Sequence, residues 1–138
     1  MTQILLDSSF LVELLNARGA KHRRTVEALV SQPAIRVIPD VVLTEVTYLL
    51  RSRIGQRAVY QFLNSLADDR IQLETLTKPD TQRVRQIMMQ YEDADLDFVD
   101  CCIMAISERL NITTVYTFDQ RDFTIFRPKH CEFLELLP

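Results

Sequence analysis

Ile4-Leu5-Leu6-Asp7-Ser8-Ser9-Phe10-Leu11 opens the chain and decides how the rest is read. Three consecutive apolar residues read as a short buried strand, since a strand covered on both faces needs no alternating polar positions. Asp7-Ser8-Ser9 are turn and N-cap residues, so the strand stops there and a helix begins. Phe10, Leu11, Leu14 and Leu15 then fit one helix face. The same alternation continues outward from this unit.

Lys21 to Ser31 reads as a second helix, with Thr25, Val26, Leu29 and Val30 on its apolar side, ended by Pro33. Arg36-Val37-Ile38 is a strand stopped by Pro39. Asp40 is a candidate cap for a helix to about Arg53, whose apolar residues Val42, Leu43, Val46, Leu49 and Leu50 recur at a period of about 3.6. Gly55 breaks it, and Gln56 to Ala67 forms the next amphipathic helix. Ile71, Leu73 and Thr75 alternate as a strand. Pro79, at or near a first helical turn, opens a helix to about Tyr91. Asp93 to Asp97 is a polar turn, followed by a helix carrying Val99, Cys102, Ile103 and Ile106 to near Asn111. Thr114-Val115-Tyr116-Thr117 is a β-branched strand, residues 119–122 a loop, and Phe133-Leu134 a last short strand. Strands alternating with helices place the chain in the α/β class with a mostly parallel sheet.

With 138 residues the chain is read as a single domain, 1–138. Apolar residues make up 47% and charged residues 25%, which suits a folded globular protein and excludes disorder. A net charge of -3 excludes a chain that binds nucleic acid through overall basicity. It leaves open a nuclease whose acidic centre holds cations. Gly19 and Gly55 are isolated, which excludes a glycine-rich nucleotide loop. No apolar run is long enough to span a membrane. Residues 1–15 lack a basic leader, and Asp7 and Glu13 interrupt their apolar run, so the expected location is the cytoplasm. Cys101, Cys102 and Cys131 are odd in number and form no CxxC, so they are expected as reduced thiols. His22 and His130 are too few for the usual zinc sites.

The acids carry the chemical information. Asp7 follows the first strand and Asp119 follows the strand at 114–117. Ligand crevices in open α/β sheets lie beyond the carboxyl ends of the strands. Glu45 sits in a helix patterned for burial, where a carboxylate needs a partner or a metal. Asp97-x-x-Asp100 puts two carboxylates on one helix face, where each raises the other's pKa unless a cation neutralises them. Carboxylate oxygens are the hard ligands that magnesium and manganese prefer. A cation so held can activate a water and orient a phosphodiester for in-line attack. Each residue also has a plainer reading: Asp7 and Asp97 as N-caps, Asp100 as a favourable first-turn charge, Asp119 as a turn residue, Glu45 as a solvated helix residue. On these grounds hydrolase, binding module and structural protein all stay open.

Four ordered segments resemble the PIN-domain family, of the type found as VapC toxins of toxin–antitoxin pairs. They are Ile4 to Leu11, Leu43-Thr44-Glu45-Val46, Asp97-Phe98-Val99-Asp100-Cys101, and Val115 to Phe123 with its Thr117-Phe118-Asp119. The resemblance implies a three-layer α/β/α sandwich around a parallel sheet. It implies an acidic quartet of Asp7, Glu45, Asp100 and Asp119, with Asp97 as a further acid. Ser9 and Thr117 would support the quartet, and Asp122 occupies a variable position; Arg121, two residues after Asp119, is the expected phosphate contact. The implied activity is endoribonuclease cleavage with Mg2+ or Mn2+. The implied partners are RNA, a second copy of the chain meeting it through residues 41–67, and a DNA-binding antitoxin covering the acidic pocket. Alternatives are a solitary PIN-fold nuclease in RNA or DNA processing and a non-catalytic RNA-binding module. A phosphotransfer receiver fits poorly, because the chain lacks paired acids directly after strand one.

Overall fold

A computed structural model describes residues 1–138. Five strands form one sheet: β1 (Gln3–Leu6), β2 (Ile35–Pro39), β3 (Ile71–Glu74), β4 (Thr114–Tyr116) and β5 (Glu135–Leu137), in the order β3-β2-β1-β4-β5. Every pairing is parallel. Seven helices connect and flank the strands: α1 (Ser8–Leu15), α2 (His22–Val30), α3 (Leu43–Arg53), α4 (Gln56–Ser65), α5 (Lys78–Gln90), α6 (Phe98–Leu110) and α7 (Arg121–Ile125). Helices α1 to α4 pack on one another, and α5 packs on α6. This is the α/β sandwich with a parallel sheet that the alternation of elements implied.

The core explains the strand sequences. Ile4, Leu5, Leu6, Val37, Ile38, Val115 and Tyr116 are all buried, as strands covered on both faces require. Phe10, Phe62, Phe123 and Phe126 fill the space between sheet and helices. Each such side chain contributes roughly 1.5–3 kcal/mol on burial. The Phe10 ring meets Tyr116 edge-on at 5.2 Å, joining α1 to the interior strand β4.

Helix ends follow local chemistry. Asp97 caps α6, its carboxylate accepting the Val99 and Asp100 N–H groups. Asn111 closes α6 in the left-handed region, at φ 55°. Gly55, at φ 131°, separates α3 from α4 in a conformation that side chains resist. Thr77 and Asp80 form a reciprocal capping box on α5, with Pro79 in its first turn.

Four expectations need correction. Asp40 does not cap α3: residues 40–42 form a 3-10 turn, and the Asp40 carboxylate accepts the Leu76 N–H instead. Residues 121 and 122 are not loop but the start of α7, because buried Phe123 and Phe126 anchor that turn on the core. The last strand is Glu135–Leu137 rather than Phe133-Leu134. Its register on Thr114–Tyr116 places Phe133 outside the ladder and largely exposed. Glu45 is exposed, since the buried face of α3 is Val46 and Leu50.

Candidate functional site

The strand order places the site. From β1 the chain builds outward through β2 and β3 on one side, then through β4 and β5 on the other. The order therefore reverses between β1 and β4, and a crevice opens beyond their carboxyl ends. Leu6 pairs with Tyr116, and the Asp7 N–H donates to the Tyr116 carbonyl at 3.0 Å. Asp7 and Thr117 thus leave the sheet side by side.

Thr117 organises this edge. Its hydroxyl donates to Asp7 Oδ2 at 2.8 Å and accepts the Asp119 N–H at 3.0 Å. It also lies 3.1 Å from the Ser9 hydroxyl, which accepts the Phe118 N–H at 2.9 Å. Asp7 caps α1 through the Ser8 N–H at 2.7 Å. One small network therefore fixes Asp7 and the backbone leading to Asp119. Asp7 is buried, whereas Asp119 and Glu45 are exposed and line one cavity of about 390 Å³.

Electrostatics tie the acids together. Burial raises the Asp7 carboxyl above its ordinary 3.8; the Thr117 and Ser8 hydrogen bonds oppose this, and Glu45 and Asp119 add to it. Burial also raises Asp100, with further upward pressure from Asp7, Asp122 and Asp97. The structure thus brings Asp7 within the field of Glu45, Asp119 and Asp100. Asp97 sits at the same edge, but its carboxylate is engaged as the α6 cap.

Arg121 is already occupied. It pairs with Asp122 at 2.7 Å and donates to the Ala94 carbonyl at 2.7 Å. Asp122 is buried and accepts the Asp97 N–H at 2.8 Å, so it locks the start of α6 beside the acids. The sequence marks Asp122 only as an acid after Asp119; its function as a strut depends on α7 folding back. Neither histidine faces the acids: His22 bonds the Glu13 carbonyl and His130 the Ile112 carbonyl. Burial pushes the Cys101 and Cys102 thiols up to about 12, so neither is a nucleophile.

The donor set suits a hard divalent cation. All candidate ligands are carboxylates, and their crowding disfavours the charged state of Asp100 unless positive charge enters. No three acidic, cysteine or histidine side chains are gathered as a ready-made metal site. Magnesium binds through one or two carboxylates and keeps several waters, so it needs no closed shell.

Known proteins share this architecture. Ribonuclease VapC26 of Mycobacterium tuberculosis is 25% identical over 125 residues, covering 91% of this chain and 93% of that protein. The 23S rRNA-specific endonuclease VapC20 of the same species is 26% identical over 116 residues, covering 84% and 88%. The crystal structure of VapC20, a sarcin–ricin loop cleaving toxin, is similar at a TM-score of 0.84 and 24% identity, over 98% of this chain and 99% of that one. VapBC2 from Rickettsia felis, bound to a DNA fragment from its promoter, gives a TM-score of 0.70 at 17% identity, over 98% and 97%. The PIN domain family model matches residues 4–126, the span that holds Asp7, Glu45, Asp97, Asp100, Asp119 and the threonine between them. Fold, switch-point crevice and sequence agree: this chain belongs to the PIN domain family.

Proposed function

We propose that this chain is a Mg2+- or Mn2+-dependent endoribonuclease and the toxin of a toxin–antitoxin pair. The observation that carries the reading is buried Asp7 at the carboxyl end of β1, tied through the Thr117 hydroxyl to the backbone of Asp119, whose side chain shares a cavity with Glu45. The ribonuclease activity of VapC26 and the rRNA endonuclease activity of VapC20 support it. Residues 1–138 act as one domain. It works in the cytoplasm, where its RNA substrates lie; no helix is long and apolar enough to cross a membrane.

Asp7, Asp100 and Asp119 would hold the cation, with Glu45 reaching it directly or through water, and Asp97 would tune the position beside Asp100. A divalent ion there supplies Lewis acidity, lowering the pKa of a water and offsetting charge on the phosphodiester. Thr117 and Ser9 orient Asp7 and keep the Asp119 backbone at the crevice. Asp122 and Arg121 brace the chain entering α6. With no histidine at the acids, proton transfer falls to water and carboxylates.

Two partners complete the reading. A second copy meets this one through α3 and α4, where Tyr48, Ile54, Tyr60 and Leu63 are exposed apolar side chains. A DNA-binding antitoxin covers the crevice and puts a basic side chain among the carboxylates, which attract positive charge. The toxin–antitoxin complexes among similar structures support this pairing.

The test is RNA cleavage with and without EDTA, for wild type, Asp7→Asn and Asp93→Asn, with matched far-UV circular dichroism. Chelation and Asp7→Asn should each abolish cleavage. The loss at Asp7 should be at least the roughly 10- to 100-fold that follows removal of an outer partner from a metal site. Asp93 is exposed in a 3-10 turn, and its substitution should change little. Full activity in EDTA, or in Asp7→Asn, would refute the reading.

A further inference from the structure

The cavity that holds Glu45 and Asp119 is not uniformly acidic. Lys21 and Arg53 line it too, together with a third carboxylate, Glu13, and with Ser9 and Phe118. Both cations are exposed, and neither takes part in any of the six ion pairs of the molecule, although carboxylates share the cavity. Each is placed by something other than a carboxylate.

Lys21 is placed by an aromatic ring. Its Nζ lies 5.0 Å from the centroid of Phe118, within range of a cation–π contact. Phe118 stands between Thr117 and Asp119, its N–H held by Ser9, and its ring stacks on Phe10 at 6.1 Å. The ring is held in place on both sides, and the Lys21 ammonium rests over it in the cavity that Asp119 also lines, outside every ion pair. Arg24 also lies over this ring, at 5.5 Å, but it donates to the Pro138 carbonyl and is tied down.

Arg53 is placed by helix geometry. Glu45, Leu49 and Arg53 are spaced four residues apart along α3 and all line the cavity. At about 1.5 Å per residue, Arg53 stands roughly 12 Å along the axis from Glu45. Lys21 and Arg53 thus share the cavity with the candidate metal acids Glu45 and Asp119, and neither is neutralised by an ion pair. A ligand carrying several negative charges fits this lining: some of its charges meet Lys21 and Arg53 while another would meet a cation held by the acids.

We propose that Lys21, held by Phe118, and Arg53 grip phosphates of a single-stranded RNA segment that enters this cavity. This rests on the ribonuclease reading above and adds the residues that position the strand. Both are positioning residues with no part in bond cleavage.

The test is fluorescence anisotropy with a fluorescein-labelled single-stranded RNA oligonucleotide in EDTA, across a salt series. Each phosphate contact contributes about 0.7 to the slope of log affinity against log salt for a single strand. Lys21→Ala and Arg53→Ala should each weaken binding several-fold and reduce the slope by about 0.7. Lys21→Arg should restore most of the affinity. Arg57→Ala, an exposed cation outside the cavity, should leave the slope unchanged. In cleavage assays with magnesium, the two alanine variants should raise KM and leave kcat nearly intact. Unchanged slopes in both variants, with wild type cleaving RNA, would overturn this proposal alone, as would an equal effect at Arg57. A wild type that binds with these slopes yet never cleaves would overturn the ribonuclease reading and leave the grip standing.

Discussion

At the residue scale, Thr117 has the most concentrated role. One hydroxyl serves Asp7, the Asp119 backbone and Ser9, and it is fully buried. Thr117→Val keeps the shape and removes the hydroxyl, leaving a buried Asp7 oxygen and a backbone N–H without their partner. The expected cost is about 1–3 kcal/mol of stability, read from urea unfolding. Activity should fall further than stability explains, because Asp7 loses its orientation. Thr117→Ser keeps the hydroxyl and should retain most activity. If Thr117→Val cleaves RNA at the wild-type rate, the hydroxyl does not orient the site. In the sequence, Thr117 was legible through its place two residues before Asp119, but its bond to Asp7 spans 110 residues and follows from strand pairing.

At the element scale, the α5–α6 pair is held by ionic struts as well as apolar contact. Arg109 near the end of α6 reaches Asp80 at 3.0 Å, Glu74 at 2.9 Å and the Thr75 carbonyl. Arg83 on α5 makes a two-pronged pair with Glu108 at 2.6 and 3.0 Å. Burial pushes the Asp80 carboxyl up, but bonds from Arg109 and Thr77 outweigh it, and it lies below its ordinary 3.8. Glu108 behaves alike: burial raises it, while Arg83 and the Lys129 N–H bring it below 4.5. A depressed folded pKa means that the stabilisation is present above the unfolded value and lost as pH falls through the folded one. Acid unfolding should therefore steepen below about pH 4.5, and Asp80→Asn with Glu108→Gln should flatten that limb. Arg109→Ala leaves Asp80 buried without its guanidinium. With Arg109 itself about one-third exposed, the expected loss is about 1–3 kcal/mol, less than for a fully buried pair. An Arg109→Ala protein with an unchanged urea midpoint would show that these struts are ornamental to stability. None of these pairs was anticipated, since (i, i+25) and (i, i+29) partners carry no local pattern.

At the scale of the whole molecule, the exposed apolar residues of α3 and α4 bear on assembly. Tyr48 and Tyr60 are 68% and 60% exposed, with Leu63 and Ile54 nearby in sequence. Light scattering at micromolar concentration should report twice the mass of one chain, and Tyr48→Lys with Leu63→Lys should return it to one. A wild type at a single-chain mass would refute the dimer. Salt belongs to this scale too: the net charge of -3 opposes a polyanion at long range, and that opposition weakens as salt rises.

What the sequence determined by itself was local. Ile4-Leu5-Leu6 before Asp7-Ser8-Ser9 specifies a buried strand, a stop and a helix, because burial and capping act within a few residues. The alternation of such units settles the α/β class, and the ordered acids of the four segments point to the family. The tertiary structure decided what local signals cannot carry. Residues 121–125 became helical because Phe123 and Phe126 found the core. The last strand moved to 135–137 because its register is set by β4. Glu45 turned out to solvent because Val46 and Leu50 took the buried face of α3. The meeting of Asp7, Glu45, Asp100 and Asp119 at one edge depends on the β1–β4 switch point, which exists only once distant strands pair. Local propensity acts over a few residues, whereas a crevice is a property of strand order, and strand order is settled by the packing of the entire chain.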